Sequence, residues 1–125
     1  MSGEKKKILV VDDEADIVSL LKIRLEASGY EVCTAGDGNS GYEKAKSEHP
    51  DLIILDLMLP GMDGYQVCRL LKFDQNYRAI PIIMLTAKSQ KDDKDWGQKV
   101  GADCYLTKPF EAKEILEKIK ELTGG

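Results

Sequence analysis

No stretch of this chain approaches the ~20 consecutive apolar residues that a membrane-spanning helix needs, and its N-terminus lacks the apolar segment of a secretory leader. Cysteine is scarce. Cys33, Cys68 and Cys104 are odd in number and widely spaced, which suits neither a disulfide framework nor a zinc site. They read as small core hydrophobes in a reducing cytoplasm. Excess charge is also lacking: a net −4 gives no global attraction to nucleic acid or to an anionic membrane. Lys5-Lys6-Lys7, the one basic run, reads as a solvated lead-in to the first strand. No internal repeat, low-complexity tract or linker interrupts the chain.

What remains is an ordinary balance of 42% hydrophobic and 32% charged residues over 125 positions. That length suits a single domain burying about two thirds of its unfolded surface, with a core from about residue 6 to 122. Strand and helix periods alternate five times. The runs 8–11, 52–55 and 82–85 are wholly apolar and read as strands buried on both faces. Glu31 to Ala35 and Cys104 to Thr107 read as weaker strands. Ile17, Leu20, Leu21 and Leu25 mark one helical face, closed by Gly29. A second helix is expected from about Asn39 to Glu48, ending before Pro50. Asp63 is positioned to cap a third, carrying Tyr65, Val67, Cys68, Leu70 and Leu71. Ser89 opens a polar fourth helix that reaches Val100 and contains Trp96. A fifth starts near Phe110-Glu111, with Ile115, Leu116, Ile119 and Leu122 on one face.

Five βα units with apolar central strands predict an α/β fold: a parallel sheet with helices on both faces. Right-handed crossovers leave few topologies. The flavodoxin-like order 2-1-3-4-5 fits best, because the second strand is the least apolar and belongs at an edge. That order places strands 1 and 3 side by side at the switch point. The first strand runs into Asp12-Asp13 and the third into Asp56, while the fourth delivers Thr86 and the fifth Lys108-Pro109. Three carboxylates, a hydroxyl and an ammonium should therefore meet at the carboxyl edge of the sheet.

Three ionised carboxylates a few ångströms apart repel one another, at a cost of several kcal/mol unless a partner sits among them. A hard cation such as Mg²⁺, which takes oxygen ligands, is the natural partner. A strand-tip carboxylate can also act as a nucleophile and form an acyl phosphate. Lys108 and Thr86 supply charge and a hydrogen bond to phosphoryl oxygens, and such positioning is most of what phosphoryl transfer needs. Whether the Lys108-Pro109 bond is cis is open at this point.

The segments Ile8-Leu-Val-Val-Asp-Asp-Glu, Leu52-Ile-Ile-Leu-Asp-Leu-Met-Leu-Pro-Gly-Met-Asp-Gly, Pro81-Ile-Ile-Met-Leu-Thr-Ala and Gly101-Ala-Asp-Cys-Tyr-Leu-Thr-Lys-Pro-Phe resemble those of a two-component response regulator receiver domain with a chemotaxis-regulator-like fold. The likeness covers about residues 6 to 122. It implies that Asp56 accepts a phosphoryl group from a sensor histidine kinase or a histidine phosphotransfer protein. Asp12, Asp13, Asp56 and the Met58 backbone carbonyl would hold Mg²⁺, with Mn²⁺ as the alternative ion. Lys108 and Thr86 would contact phosphoryl oxygens. Thr86 and Tyr105 would act as the switch pair, repacking the surface of the fourth helix, fifth strand and fifth helix for a downstream protein. Met58, Ala87 and Lys88 would govern access and phosphoryl lifetime, and hydrolysis would reset the domain.

The resemblance also implies a phosphoprotein of signal transduction in the cytoplasm, without turnover of a separate substrate and without direct contact to nucleic acid or membrane. The chain carries no helix-turn-helix, output enzyme or histidine-bearing kinase segment, so it reads as a stand-alone receiver or a piece of a longer regulator. Departures are few: Cys104 stands where relatives often carry an acid, and Trp96 adds bulk to the fourth helix. Two other readings compete. A haloacid-dehalogenase-like phosphatase shares the strand-tip aspartate and Mg²⁺, but needs a second acid where Met58 stands. A pseudo-receiver would bind partners without taking phosphate. The acidic trio Asp12-Asp13-Glu14 also suits a cap of the first helix. His49 cannot be an internal donor, because seven extended residues place it about 20 Å from Asp56, at ~3.3 Å per residue.

Overall fold

The computed structural model describes residues 5–87 and 101–124. Five parallel strands form one sheet in the order 2-1-3-4-5, as predicted. They are β1 (Lys7–Val11), β2 (Glu31–Ala35), β3 (Leu52–Asp56), β4 (Ile82–Ala87) and β5 (Cys104–Lys108). Helices α1 (Ala15–Ala27), α2 (Gly38–Glu48), α3 (Gly64–Lys72) and a C-terminal helix (Ala112–Thr123) accompany them. The predicted fourth helix, with Lys88 and Trp96, lies outside the described residues.

The apolar runs form strands because their side chains are used on both faces of the sheet. Alternation by two sends Leu9, Val11, Ile53, Leu55, Ile82 and Met84 to one layer, where they meet Ala45 of α2 and Val67, Cys68 and Leu71 of α3. Ile8, Val10, Leu52, Ile54, Ile83 and Leu85 go to the other, against Leu21 and Leu25 of α1 and Ile115 and Ile119 of the C-terminal helix. Every residue of β3 is buried. Parallel register sets Val11 beside Leu55, Asp56 beside Leu85 and Ala87 beside Lys108, so the strand tips are level.

Local chemistry ends and starts the helices. Asp63 caps α3 as expected, accepting the Gln66 N–H while the Gln66 side chain accepts the Asp63 N–H. Gly29, just past α1, takes a left-handed φ of 94°. Two apolar positions differ from expectation: Leu20 and Leu70 are each 43% exposed. Each precedes a buried neighbour, Leu21 or Leu71, by about 100° around its helix, which turns it to the edge of the buried stripe. Cys68 is buried, and burial pushes its thiol up to about 12. Cys33 and Cys104 pack half-buried against the two core layers. His49 is an exposed residue with φ 48°, stacked on Tyr77.

Candidate functional site

The level strand tips bring the predicted groups together. Asp12 follows β1 and is buried, as are Asp56 at the end of β3 and Thr86 within β4. Asp13 is exposed beside them. Oxygens of Asp12, Asp13 and Asp56 lie within 4.8 Å of one another. Lys108, the last residue of β5, reaches across the edge: its Nζ is 3.1 Å from Asp12 Oδ2 and 3.2 Å from Asp56 Oδ2. The Lys108–Pro109 bond is cis.

Backbone geometry holds the phosphoacceptor candidate in place. The Met58 N–H donates to Asp56 Oδ1 at 3.2 Å. Gly64, at the start of α3, packs directly on the Asp56 backbone: a Cβ there would meet the Asp56 carbonyl oxygen and lie 2.8 Å from Leu57 Cα. Only glycine lets α3 begin this close to the strand tip.

Among the described residues, the buried side-chain atoms without a hydrogen-bond partner are Asp12 Oδ2 and Thr86 Oγ1. Asp12 Oδ2 meets Lys108 as an ion pair without hydrogen-bond geometry. Buried polar groups are normally satisfied, so these atoms point to a ligand with oxygen-seeking charge and acceptor oxygens. A cluster of carboxylate oxygens with such an orphan fits Mg²⁺, whose preferred ligands are oxygens. Burial, and then the charge of Asp12, push the Asp56 carboxyl up from the ordinary 3.8 to about 6, against the opposing pull of Lys108 and the Met58 N–H. Burial alone would lower Lys108. Its hydrogen bond to Glu14 and the charges of Asp56 and Asp12 outweigh this and raise it.

Other expected residues fall nearby or outside the described region. Met58 has a 61% exposed side chain two positions beyond Asp56. Tyr105 is half-buried on β5, paired in register with Met84 and packed against the layer containing α2 and α3. Alternation along β4 turns Thr86 to the same face as Met84, and so to the face that Tyr105 shares. Ala87 ends β4 beside Lys108. Lys88 lies outside the described residues.

One participant was not anticipated. The acidic trio was expected to cap α1, and Glu14 does occupy the N-cap position, but its side chain makes no cap bond. Asp12 Oδ1 instead accepts the Glu14 N–H at 2.8 Å, and Glu14 Oε1 lies 2.6 Å from Lys108 Nζ. The bond joins residues 94 positions apart, and no local pattern announces it.

Residues 8–120 match the family model of the response regulator receiver domain. The chain belongs to that family. This receiver is 52% identical over 117 residues to the alkaline phosphatase synthesis transcriptional regulatory protein PhoP of Bacillus subtilis, covering 94% of the chain and 48% of that protein. It spans about half the length of the curated relatives it matches. Among solved structures it is similar to the chemotaxis protein CheY4 of Vibrio cholerae, with a TM-score of 0.88, 34% identity and coverage of 95% of this chain and 99% of that one. It is also similar to the receiver domain of the sensor histidine kinase PA1611 of Pseudomonas aeruginosa, with a TM-score of 0.89, 30% identity and coverage of 98% and 100%. That structure has a magnesium ion coordinated in its active-site cleft. No helix among the described residues of this receiver is long and apolar enough to cross a membrane.

Proposed function

We propose that this receiver takes a phosphoryl group onto Asp56 from the phosphohistidine of a sensor histidine kinase or a histidine phosphotransfer protein. An Asp56 carboxylate oxygen attacks phosphorus. The new O–P bond forms as the N–P bond breaks, and the electron pair returns to the imidazole nitrogen. Asp12, Asp13 and Asp56, with the Met58 carbonyl, would hold Mg²⁺ or Mn²⁺, and the ion would offset phosphoryl charge and orient it. Lys108 neutralises a phosphoryl oxygen, and the Thr86 hydroxyl donates to another. Hydrolysis of the acyl phosphate resets the domain, and no separate substrate is turned over.

The observation that carries this reading is the convergence on Asp56: an ammonium 3.2 Å away and a buried, unpartnered threonine hydroxyl at one edge of the sheet. A phosphoryl group brings up to two negative charges and acceptor oxygens, which suit the Lys108 ammonium and supply the acceptor that the Thr86 hydroxyl lacks. Thr86 then moves toward phosphate, and Tyr105, on the same face, fills the space behind it. This shifts the population between two packings of the surface around β5 and the C-terminal helix, where a downstream protein docks. Met58, Ala87 and Lys88 tune access and lifetime. The relatives named as transcriptional regulators suggest control of transcription in the cytoplasm as the output, through partners rather than by this domain's own contact with nucleic acid or membrane.

Acetyl phosphate with Mg²⁺ tests the assignment by intact mass. The parent should gain one phosphoryl group, and Asp56→Asn should gain none. A gain on the variant, or none on the parent, refutes Asp56 as the acceptor.

A further inference from the structure

We infer that Glu14 is a positioning residue: it seats the Lys108 ammonium at the solvent side of the notch and competes there with an incoming phosphoryl oxygen. The inference rests on the phosphoacceptor reading of Asp56 and extends it to a residue outside the metal cluster. Among the described residues that cluster comprises Asp12, Asp13 and Asp56. Glu14 instead makes the shortest contact of Lys108, 2.6 Å, against 3.1 Å to Asp12 and 3.2 Å to Asp56.

Three carboxylate oxygens thus crowd one ammonium, which has three N–H groups to offer. A phosphoryl oxygen has to take a place among them. The Asp12 and Asp56 side chains are almost wholly buried, whereas that of Glu14 is 57% exposed. A carboxylate released from Lys108 is rehydrated at least cost where water already reaches it, so the Glu14 contact is the one that yields. Its strength is therefore subtracted from the affinity of the site for a phosphoryl group. For an ion pair this exposed, the subtraction amounts to about two- to fivefold in affinity, shrinking as salt screens the pair.

The same carboxylate acts oppositely on the cation. It competes for Lys108 with the Asp12 and Asp56 oxygens that would hold Mg²⁺, and adds a negative charge nearby. Removing it should weaken Mg²⁺ binding while tightening anion binding. A merely structural role would weaken both.

The test titrates the full chain with fluoroberyllate at saturating Mg²⁺, read by fluorine NMR, and with Mg²⁺ alone, read by calorimetry. Glu14→Gln should bind fluoroberyllate about two- to fivefold more tightly than the parent and Mg²⁺ more weakly. Glu14→Asp keeps the charge but shortens the arm by one methylene, and should move both affinities in the same directions by less. Unchanged or weaker fluoroberyllate binding by Glu14→Gln, with the parent binding normally, overturns the inference. So does a Glu14→Asp protein identical to the parent, since charge alone would then suffice. A parent that binds no fluoroberyllate, or an Asp56→Asn variant that binds it as the parent does, overturns the phosphoacceptor reading itself.

Discussion

Replacing Asp56 by asparagine should stabilise the receiver when no divalent cation is present, although it removes the proposed acceptor. The Asp56 carboxyl is raised from 3.8 to about 6 by burial and by Asp12. Ionising it in the folded protein therefore costs about 3 kcal/mol more than in the unfolded chain, at about 1.4 kcal/mol per pH unit. Asparagine has the size of the protonated acid and never ionises. Near neutral pH the substitution should recover about 2–3 kcal/mol, or roughly 8–12 °C in melting temperature for a domain of this size. The sign follows from proton binding. A raised carboxyl binds its proton more tightly when folded, so the penalty is absent below about pH 4 and complete above about pH 6. Across that window the parent should lose stability relative to the variant as pH rises. Saturating Mg²⁺ should narrow or reverse the gap, because the ion binds the folded parent through a ligand the variant lacks. Thermal melts in chelator and in Mg²⁺, at several pH values, measure all of this. Equal melting temperatures in chelator near neutral pH, or a less stable variant, would refute the electrostatic reasoning.

Mg²⁺ should raise the melting temperature of the parent, since it binds only the assembled carboxylates, and Asp13→Ala should blunt the rise; identical responses remove Asp13 from the ion's shell. Thr86→Val keeps the shape of the side chain and deletes an unpartnered buried hydroxyl. Urea unfolding without metal should show a gain of about 1 kcal/mol, whereas fluoroberyllate affinity should fall; unchanged affinity would mean that the hydroxyl does not face the anion. Gly64→Ala drives a Cβ into the backbone of Asp56 and Leu57 and should cost about 1–3 kcal/mol with weakened Mg²⁺ binding. Wild-type stability there would show that α3 can start elsewhere.

Much of the architecture was legible because the local and global patterns agree. The apolar runs at 8–11, 52–55 and 82–85 have no polar face, so only a sheet covered on both sides could use them, and each is followed directly by a polar residue, Asp12, Asp56 or Thr86. Strand order followed from the polarity of β2 and the handedness of crossovers. Capping by Asp63 was legible because its partner Gln66 is three residues away. The half-exposed Leu20 and Leu70 were misplaced because a stripe of helical leucines does not reveal where its edge falls. The contact of Glu14 with Lys108 was not anticipated for a related reason. As a member of an acidic trio before a helix Glu14 looks like a cap, and its partner lies on the far side of the chain at Lys108.

The amino-acid order alone determined which elements form and which side chains stand at the strand tips, since periodicity and polarity act over a few neighbours. Only the tertiary structure decided how close those tips come, that Lys108 divides itself among Asp12, Glu14 and Asp56, and that burial and the charge of Asp12 push the Asp56 carboxyl upward. Charge interactions and desolvation depend on distance and burial. Both are set by residues that meet across the sheet after dozens of intervening positions.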